Sequence, residues 1–234
     1  MNISQMPNIP HNLQIIGSEI SESCGAAKRL PETVQLLAVS KRHSTDLIRQ
    51  AYVAGQRAFG ENYVQEMVEK AQELADLTIE WHFIGPLQSN KSKEVAATAS
   101  WVHTIDRLKI ARRLSEQRPD HLPPLNVCLQ VNINQEANKS GVSLEEVGAL
   151  AAAIADLPNL KLRGLMAIPE ATSDPEQQRA NFALLAKAQA ELNASHYELD
   201  TLSMGMSGDM NAAIAEGSTM VRIGTAIFGQ RPDA

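Results

Sequence analysis

The sequence has few of the features that mark several classes of protein. It contains two cysteines in 234 residues, and aromatic residues make up only 4% of the chain. Cys24 and Cys128 lie far apart in no metal-ligand spacing, so neither a disulfide framework nor a zinc site is indicated. The scarcity of aromatic side chains disfavours a base-stacking surface for single-stranded nucleic acid.

Positive charge and long apolar runs are also lacking. The 21 Lys and Arg residues against 27 Asp and Glu residues give a net charge of −6, which repels phosphate backbones and disfavours a nucleic-acid partner. No apolar stretch approaches membrane-spanning length, and the polar N-terminus has no signal-peptide core. We therefore expect a cytoplasmic protein with no membrane partner.

The length of the chain is ordinary for a globular protein. A chain of 234 residues lies near the low end for a TIM barrel and buries roughly 70% of its unfolded surface, so it needs no metal or disulfide to hold a core. No Ser/Gly-rich linker divides it, which predicts one domain over residues 1–234. Neither a dinucleotide-binding G-x-G-x-x-G after a first strand nor a Walker A sequence is present.

What the chain does contain is a regular alternation of short apolar strands and amphipathic helices. Strands are predicted at 34–41, 57–60, 81–85, 101–105, 125–133, 160–168, 201–206 and 219–224. Helices are predicted at 12–28, 45–54, 62–75, 106–116, 143–155, 175–192 and 209–216. Ser44, Asp106, Ser143 and Asp174 are candidate N-caps. Eight strands in this pattern predict a single α/β domain, a (β/α)₈ TIM barrel with an extra N-terminal helix. A doubly wound open sheet is the alternative, because alternation alone does not show closure.

In such a barrel the chemistry belongs at the C-terminal ends of the strands, and Lys41 closes the first one. Burial beside aliphatic residues disfavours an ammonium group and lowers its pKa, and a neutral amine is what a Schiff base with an aldehyde requires. The alternative is a lysine whose stem lies along the strand end while its ammonium group reaches water.

The ends of the last two strands are rich in small residues. Ser207 and Gly208 precede a helix, while Gly224 and Thr225 end the last strand. Such segments suit a phosphate-binding cup, although each is also compatible with an ordinary turn. Arg222 shares a strand face with Gly224, and it either pairs with an inward carboxylate or contacts a heterocycle nitrogen, which it would keep unprotonated.

Polar residues also follow the second and third strands. Asn62 comes directly after the second strand, where its amide can reach a bound ring. His82 shares a face with Ile84 on the third strand, and an inward histidine of this kind is more often a satisfied core group than a base. Gln88, Asn90 and Lys91 open the next helix.

These segments resemble one known family. The motifs L-L-A-V-S-K, F-G-E-N-Y-V-Q-E, W-H-F-I-G-P-L-Q-S-N-K, H-T-I-D-R-L, N-K-S-G-V, L-R-G-L-M-A-I-P, S-M-G-M-S-x-D-M and V-R-I-G-T-A-I-F-G occur in the order found in the YggS/PROSC family of pyridoxal phosphate homeostasis proteins. The match runs from about Val34 to Gly229. Arg42 and His43 depart from the family pattern, in which Thr is common after the lysine, and Gly208 fills a variable position.

The resemblance implies a barrel of the alanine-racemase N-terminal type that holds pyridoxal 5′-phosphate (PLP) as a Schiff base on Lys41. It further implies that Ser207, Gly224 and Thr225 hold the phosphate. Arg222 would face the pyridine nitrogen, and Asn62 and Met166 would line the ring.

Two functions remain open from the sequence. The related racemases and decarboxylases carry a second, β-rich domain, which we expect to be missing here because the chain ends at Ala234. An open cofactor face and Arg222 as a neighbour of the ring both favour binding, buffering and delivery of PLP over catalysis. Delivery by transimination to apo-enzymes that use PLP is our hypothesis.

The alternative is a barrel-only PLP-dependent racemase or a related enzyme. It requires a second proton-transfer group, for which His82 and Tyr63 are the candidates. A scaffold without cofactor is a further alternative. Lys139 is either a second anion or PLP contact or a solvated loop lysine. With no second interface module, a monomer is the expectation.

Overall fold

The computed structural model describes residues 7–136 and 139–231, and a closed barrel of eight parallel strands lies at its centre. The strands are β1 (Gln35–Val39), β2 (Ala58–Glu61), β3 (Glu80–Phe83), β4 (Trp101–Ile105), β5 (Leu125–Val131), β6 (Leu160–Ala167), β7 (Thr201–Ser203) and β8 (Met220–Ile223). Neighbours in sequence pair in order, and β8 pairs with β1 through the register Leu37↔Arg222 and Ala38↔Ile223. The predicted TIM barrel is confirmed, and the open-sheet alternative is wrong, because that last pairing closes the sheet.

Helices follow the strands on the outside of the barrel. They are α1 (Ile9–Ala26), α2 (Thr45–Val53), α3 (Val64–Glu73), α4 (Ser92–Thr98), α5 (Leu108–Gln117), α6 (Val147–Ala155), α7 (Pro175–Ala194), α8 (Met210–Ala215) and α9 (Thr225–Phe228). The extra N-terminal helix is confirmed as α1. Asn12 Nδ2 of α1 donates to the Ile227 carbonyl at 2.8 Å, and the Ser23 hydroxyl donates to Asn211 Oδ1 at 2.6 Å. Among the described helices, none combines the length and apolar composition needed to cross a bilayer.

Several predicted element boundaries are wrong, for local reasons. The predicted strand 201–206 stops at Ser203, since Gly205 has φ of +99° and turns the chain out of the sheet. Asp106 and Ser143 are not caps, because their helices begin further on, at Leu108 and Val147. Asp174 is confirmed as a cap, and its side chain accepts a hydrogen bond from the Glu176 N–H.

The apolar core has two parts. The larger part fills the layer between strands and helices and includes Phe59, Phe83 and Phe182. The barrel interior holds two small apolar clusters, one of Leu37, Ala58 and Met220 and one of Trp101, Cys128 and Met166. Buried polar side chains occupy the interior alongside them: His82, His103, Ser203 and Arg222. An interior of this kind is packed with side chains and is not a pore, so ligands must bind at its end.

Candidate functional site

Closure of the barrel makes β6, β7, β8, β1 and β2 five consecutive neighbours, and their C-terminal ends form one side of the barrel mouth. Val39 pairs with Gly60, so Lys41 and Asn62, each two residues further on, follow neighbouring strands at the same end of the barrel. On the other flank of β1, Gly224 lies so near that a Cβ on it would be 3.2 Å from the Val39 carbonyl oxygen. The structure therefore brings the ends of the first, second and eighth strands together, as the sequence reading required.

Lys41 does not close the first strand as predicted: β1 ends at Val39, and Lys41 begins the turn that follows it and is partly buried. Desolvation lowers the pKa of its amine, and the positive charges of Arg231 and Arg42 lower it further, against the opposing influence of Glu61 and Glu66. A larger share of this side chain is therefore a neutral amine near neutral pH than of an exposed lysine. The amine is the nucleophilic form toward a carbonyl carbon.

A buried cluster of charged side chains packs against the turn that carries Lys41. Lys70 of α3 donates to the Ser40 carbonyl at 2.8 Å, to Glu61 Oε1 at 2.8 Å and to Glu66 Oε1 at 2.7 Å. Burial raises the pKa of Glu61 to about 7, although Lys70 and the Ser40 hydroxyl both favour its charged form. Arg42, at φ +64°, donates its backbone N–H to Glu66 Oε1 at 2.5 Å. The sequence reading missed this cluster, since its members are spread over the turn after β1, strand β2 and helix α3.

Asn62 leaves β2 with its side chain at the mouth. Its Oδ1 atom is buried and has no hydrogen-bond partner among the described residues. It lines a cavity of about 240 Å³ together with Ile84, Thr104, Gln130 and Lys139. A buried, unpartnered amide oxygen costs free energy, so its position is a natural one for a ligand group to complete.

Arg222 lies directly under the mouth and is almost fully buried. Its Nη1 atom donates to the Ser203 carbonyl at 2.6 Å and the Ser203 hydroxyl at 2.8 Å, and Nη2 donates to the Ala167 carbonyl at 2.9 Å. No carboxylate within the described part of the chain forms an ion pair with it. Burial lowers the pKa of Arg222 to about 10, which still leaves a cation at neutral pH. Of its five N–H groups, three are used in these bonds.

The remaining predicted site residues occupy different depths. Met166 is fully buried inside the barrel beside Trp101 and Cys128. Gly224 caps the short helix α9, and Thr225 is its exposed first residue. Ser207 is exposed in the loop after β7, where it lines a separate cavity of about 330 Å³. Lys41 does not line this cavity, so the cavity does not place Ser207 beside Lys41.

The candidate proton-transfer residues are not free groups at the mouth. His82 is fully buried, and its ring nitrogens lie 2.8 Å from Glu80 Oε1 and 2.9 Å from His103 Nε2. The sequence reading missed His103, which lies two residues after the inward Trp101 on β4 and is fully buried on the same face. Tyr63 is about half exposed beside Asn62. Lys139 is partly buried and bonds Glu136 and the Pro169 carbonyl, so it joins two loops and is not a freely solvated lysine.

Comparison with known proteins assigns the architecture to a class. The family model of the alanine racemase N-terminal domain matches residues 19–232. An alanine racemase structure from Corynebacterium glutamicum superposes with a TM-score of 0.72 at 18% identity, covering 97% of this chain and 62% of that chain. The class of protein is therefore a barrel of the alanine racemase N-terminal type.

Closer relatives narrow the class. A pyridoxal phosphate homeostasis protein from Pseudomonas aeruginosa is 57% identical over 226 residues, which are 97% of this chain and 97% of the relative. The structure of PipY from Synechococcus elongatus with PLP bound has a TM-score of 0.79 at 39% identity, covering 90% of this chain and all of that chain. The chain belongs to the family of pyridoxal phosphate homeostasis proteins.

Proposed function

We propose that this chain binds pyridoxal 5′-phosphate at the barrel mouth and takes part in the homeostasis of that cofactor as a buffer or carrier. The observation that carries the proposal is the juxtaposition of Lys41, Asn62 and the β8 end on neighbouring strands. The fit is chemical as well as positional, because Asn62 Oδ1 is a buried oxygen without a partner and Gly224 packs against β1 with little space for a side chain. PLP supplies an aldehyde that condenses reversibly with an amine.

Lys41 is the residue that we propose binds the aldehyde carbon as a Schiff base. Its neutral amine would supply the nucleophile for a reversible condensation with the aldehyde, in which the amine protons leave with the aldehyde oxygen as water. The lowered pKa of Lys41 increases the neutral fraction. The reverse step, or exchange with an incoming amine, releases PLP to apo-enzymes that use it, which makes the attachment suitable for delivery.

The other predicted residues have distinct proposed roles. Ser207, Gly224 and Thr225 would hold the phosphate, with support from the backbone N–H groups at the start of α9, since the first N–H groups of a helix have no acceptor within it. Arg222 would face the pyridine nitrogen with an N–H that its three protein bonds leave available. Asn62 and Met166 would line the ring, Met166 from below.

A carrier is favoured over an enzyme by the state of the proton-transfer candidates. Both ring nitrogens of His82 are already engaged in the interior, which leaves it no atom for a reaction at Lys41. A permanent cation at Arg222 also disfavours a protonated, electron-withdrawing ring. The close relatives are named for homeostasis. We further propose that the protein works in the cytoplasm as a monomer.

Borohydride trapping tests the proposal directly. Purified protein given PLP should become yellow, and reduction should leave a pyridoxyl group on the peptide that contains Lys41. Lys41→Ala should lose this label and the colour, because Lys70, the other amine near the β1 end, is buried and bonded to the Ser40 carbonyl, Glu61 and Glu66. Lys93→Ala, which removes an exposed lysine on α4, is the matched control and should keep both. A wild-type protein that takes up no PLP, or a label retained in Lys41→Ala, would contradict the proposal.

A further inference from the structure

A continuous line of hydrogen bonds runs through the barrel interior from its N-terminal end to the mouth. Glu80 Oε1 lies 2.8 Å from His82 Nε2, and His82 Nδ1 lies 2.9 Å from His103 Nε2. His103 Nδ1 lies 2.8 Å from Ser203 Oγ, which accepts from Arg222 Nη1 at 2.8 Å. Its inner members are sealed from water, whereas the Glu80 side chain is 41% exposed. The line thus joins solvent at one end of the barrel to Arg222 at the other.

The direction of every bond follows from the mouth end. Arginine has donors only, so Ser203 Oγ accepts from Arg222 and keeps its own hydrogen. The acceptor in reach for that hydrogen is His103 Nδ1. A neutral imidazole that accepts at Nδ1 carries its proton on Nε2 and donates to His82 Nδ1. His82 in turn donates from Nε2 to Glu80.

The Glu80 end of the line leads to the same hydrogen-bond directions. The hydrogen bond from His82 is the main cause that lowers the pKa of Glu80, so Glu80 is an ionised carboxylate and accepts only. His82 must therefore donate from Nε2, which leaves Nδ1 as an acceptor for His103. Both ends fix one orientation, with each hydrogen pointing toward the anion and each lone pair toward the cation.

Both histidines are neutral in this arrangement. Burial lowers the pKa of His82 and lowers that of His103 well below its usual value, and the positive charge of Arg222 adds to the effect on His103. The other groups around the line come from several strands. Trp101 of β4 stacks on His82, and the Arg163 guanidinium of β6 lies over the Trp101 ring. Gln35 of β1 donates a hydrogen bond to Glu80, and burial raises the pKa of the Cys128 thiol of β5 to about 12. The negative charge of Asp209 favours the charged form of Arg222.

We propose that Glu80, His82, His103 and Ser203 are positioning residues that fix the guanidinium of Arg222 and, through one polarised line of bonds, let a carboxylate at the far end of the barrel set the electrostatic environment of the bound cofactor. The inference rests on the proposed function only for the presence of the cofactor beside Arg222. The line itself is a property of the protein alone. The line connects the anion Glu80 to the cation Arg222 through four hydrogen bonds, so the two charges are coupled although they are not in direct contact.

The first test needs no cofactor. Long-range ¹H–¹⁵N spectra of histidine-labelled protein should show two imidazoles, assigned with His82→Gln and His103→Gln, that carry the proton on Nε2. Both should remain neutral from roughly pH 5 to 8, the range in which exposed histidines titrate. A proton on Nδ1 of either ring, or titration of either ring in that range, would overturn the proposed line.

The second test uses the protein loaded with PLP and compares Glu80→Gln with Glu32→Gln. Both changes remove one negative charge, and Glu32 lies on an exposed turn before β1, outside the line. Loss of the Glu80 charge leaves Arg222 less compensated, which makes the mouth more positive and disfavours a proton on the bound cofactor. We expect the pH midpoint of the cofactor's absorption change to fall by on the order of half a pH unit in Glu80→Gln. Glu32→Gln should match the wild type.

The outcomes separate this inference from the proposed function. If Glu80→Gln is still trapped on Lys41 but its midpoint equals that of Glu32→Gln, the electrostatic role is wrong and PLP binding stands. If the wild type takes up no PLP, the proposed function fails, and the spectra of the cofactor-free protein still decide whether the line exists.

Discussion

At the scale of single residues, the decisive property of Lys41 is its environment. The sequence placed Lys41 within two residues of the true end of the first strand. Of the charges that act on it, Arg42 is adjacent in sequence, whereas only the fold brings Arg231, Glu61 and Glu66 near. Burial opposes its protonation most, and the positive charges of Arg231 and Arg42 act in the same direction. A lysine with a lowered pKa presents a larger fraction of the nucleophilic neutral amine at neutral pH than an exposed lysine does.

We expect the pKa of Lys41 to lie below that of exposed lysines and to rise in Arg231→Ala. The reason is that desolvation, followed by the Arg231 and Arg42 charges, disfavours the ammonium form. Reductive ¹³C-dimethylation of the cofactor-free protein, followed by an NMR pH titration, measures the value. Lys28→Ala, which removes a positive charge after α1, should leave it unchanged. An unshifted pKa in Arg231→Ala would show that this charge does not act on the amine.

At the scale of elements, two contacts place the mouth loops: the Lys70 cluster, which fastens α3 to the ends of β1 and β2, and the close approach of the β2 and β3 loops. Lys70 and Glu61 are both buried, so neither charge has water to replace a lost partner. The glycine at position 85 lies where the Asn62 backbone passes. The Lys70 cluster holds Ser40, which precedes Lys41, and the Gly85 contact lies against the backbone of Asn62.

Lys70→Met should destabilise the protein by about 3 to 5 kcal/mol at alkaline pH, because it leaves the Glu61 carboxylate buried without its cation. Without Lys70 the pKa of Glu61 rises above its already raised value, so the folded state binds a proton that the unfolded chain has released. The loss should therefore be smaller at pH 5 than at pH 8 in urea unfolding. The double variant Lys70→Met with Glu61→Gln should recover part of it, and a pH-independent loss would contradict an ionic cause.

Gly85→Ala should weaken PLP uptake. A Cβ at this position would lie 2.0 Å from the Asn62 carbonyl oxygen, so the backbone that carries Asn62 must move. The control is Gly148→Ala in α6, where nothing lies within 4 Å, and there alanine should stabilise the helix by roughly 0.5 to 1 kcal/mol. Titration with PLP and thermal unfolding of both variants measure the two effects. Equal PLP affinity in Gly85→Ala and wild type would show that the position of Asn62 is unimportant.

At the scale of the whole molecule, closure of the barrel is what turns separate strand ends into one site. The pairing of β8 with β1 joins residues more than 180 positions apart in sequence, such as Ala38 and Ile223. Closure also encloses the line of hydrogen bonds from Glu80 to Arg222 inside the barrel, while Lys41 and Asn62 lie at the mouth. A carrier needs an accessible rim, whereas a racemase needs a second proton-transfer group held over the same carbon.

We expect no steady exchange of the Cα hydrogen when the PLP-loaded protein is incubated with single-enantiomer amino acids in deuterated water. His82 is occupied by its interior bonds, and Tyr63 is about half exposed, so neither is held in a dry site beside Lys41. Mass spectrometry of the recovered amino acid measures the exchange, with Lys41→Ala as the blank. Continuous exchange that disappears in Lys41→Ala would support the enzymatic alternative.

The sequence by itself determined the alternation of strands and helices, the approximate place of Lys41 near the end of the first strand, and the family to which the motifs point. These follow from local periodicity and from residue types at fixed spacing, which do not depend on distant parts of the chain. It also predicted the 101–105 strand with the bounds that the structure has.

Only the tertiary structure decided whether the sheet closes, which side chains brace the Lys41 turn, and what His82 does. Arg222 was read as pairing with a carboxylate or with a ligand, yet its protein partners are two carbonyls and a hydroxyl from β6 and β7. His82 was predicted to be an inward core histidine, but the sequence did not show that its partners are Glu80 and His103, whose Nε2 lies 2.9 Å away. Most such contacts join residues far apart in the chain, and a hydrogen bond depends on distance and direction, which no one-dimensional pattern encodes.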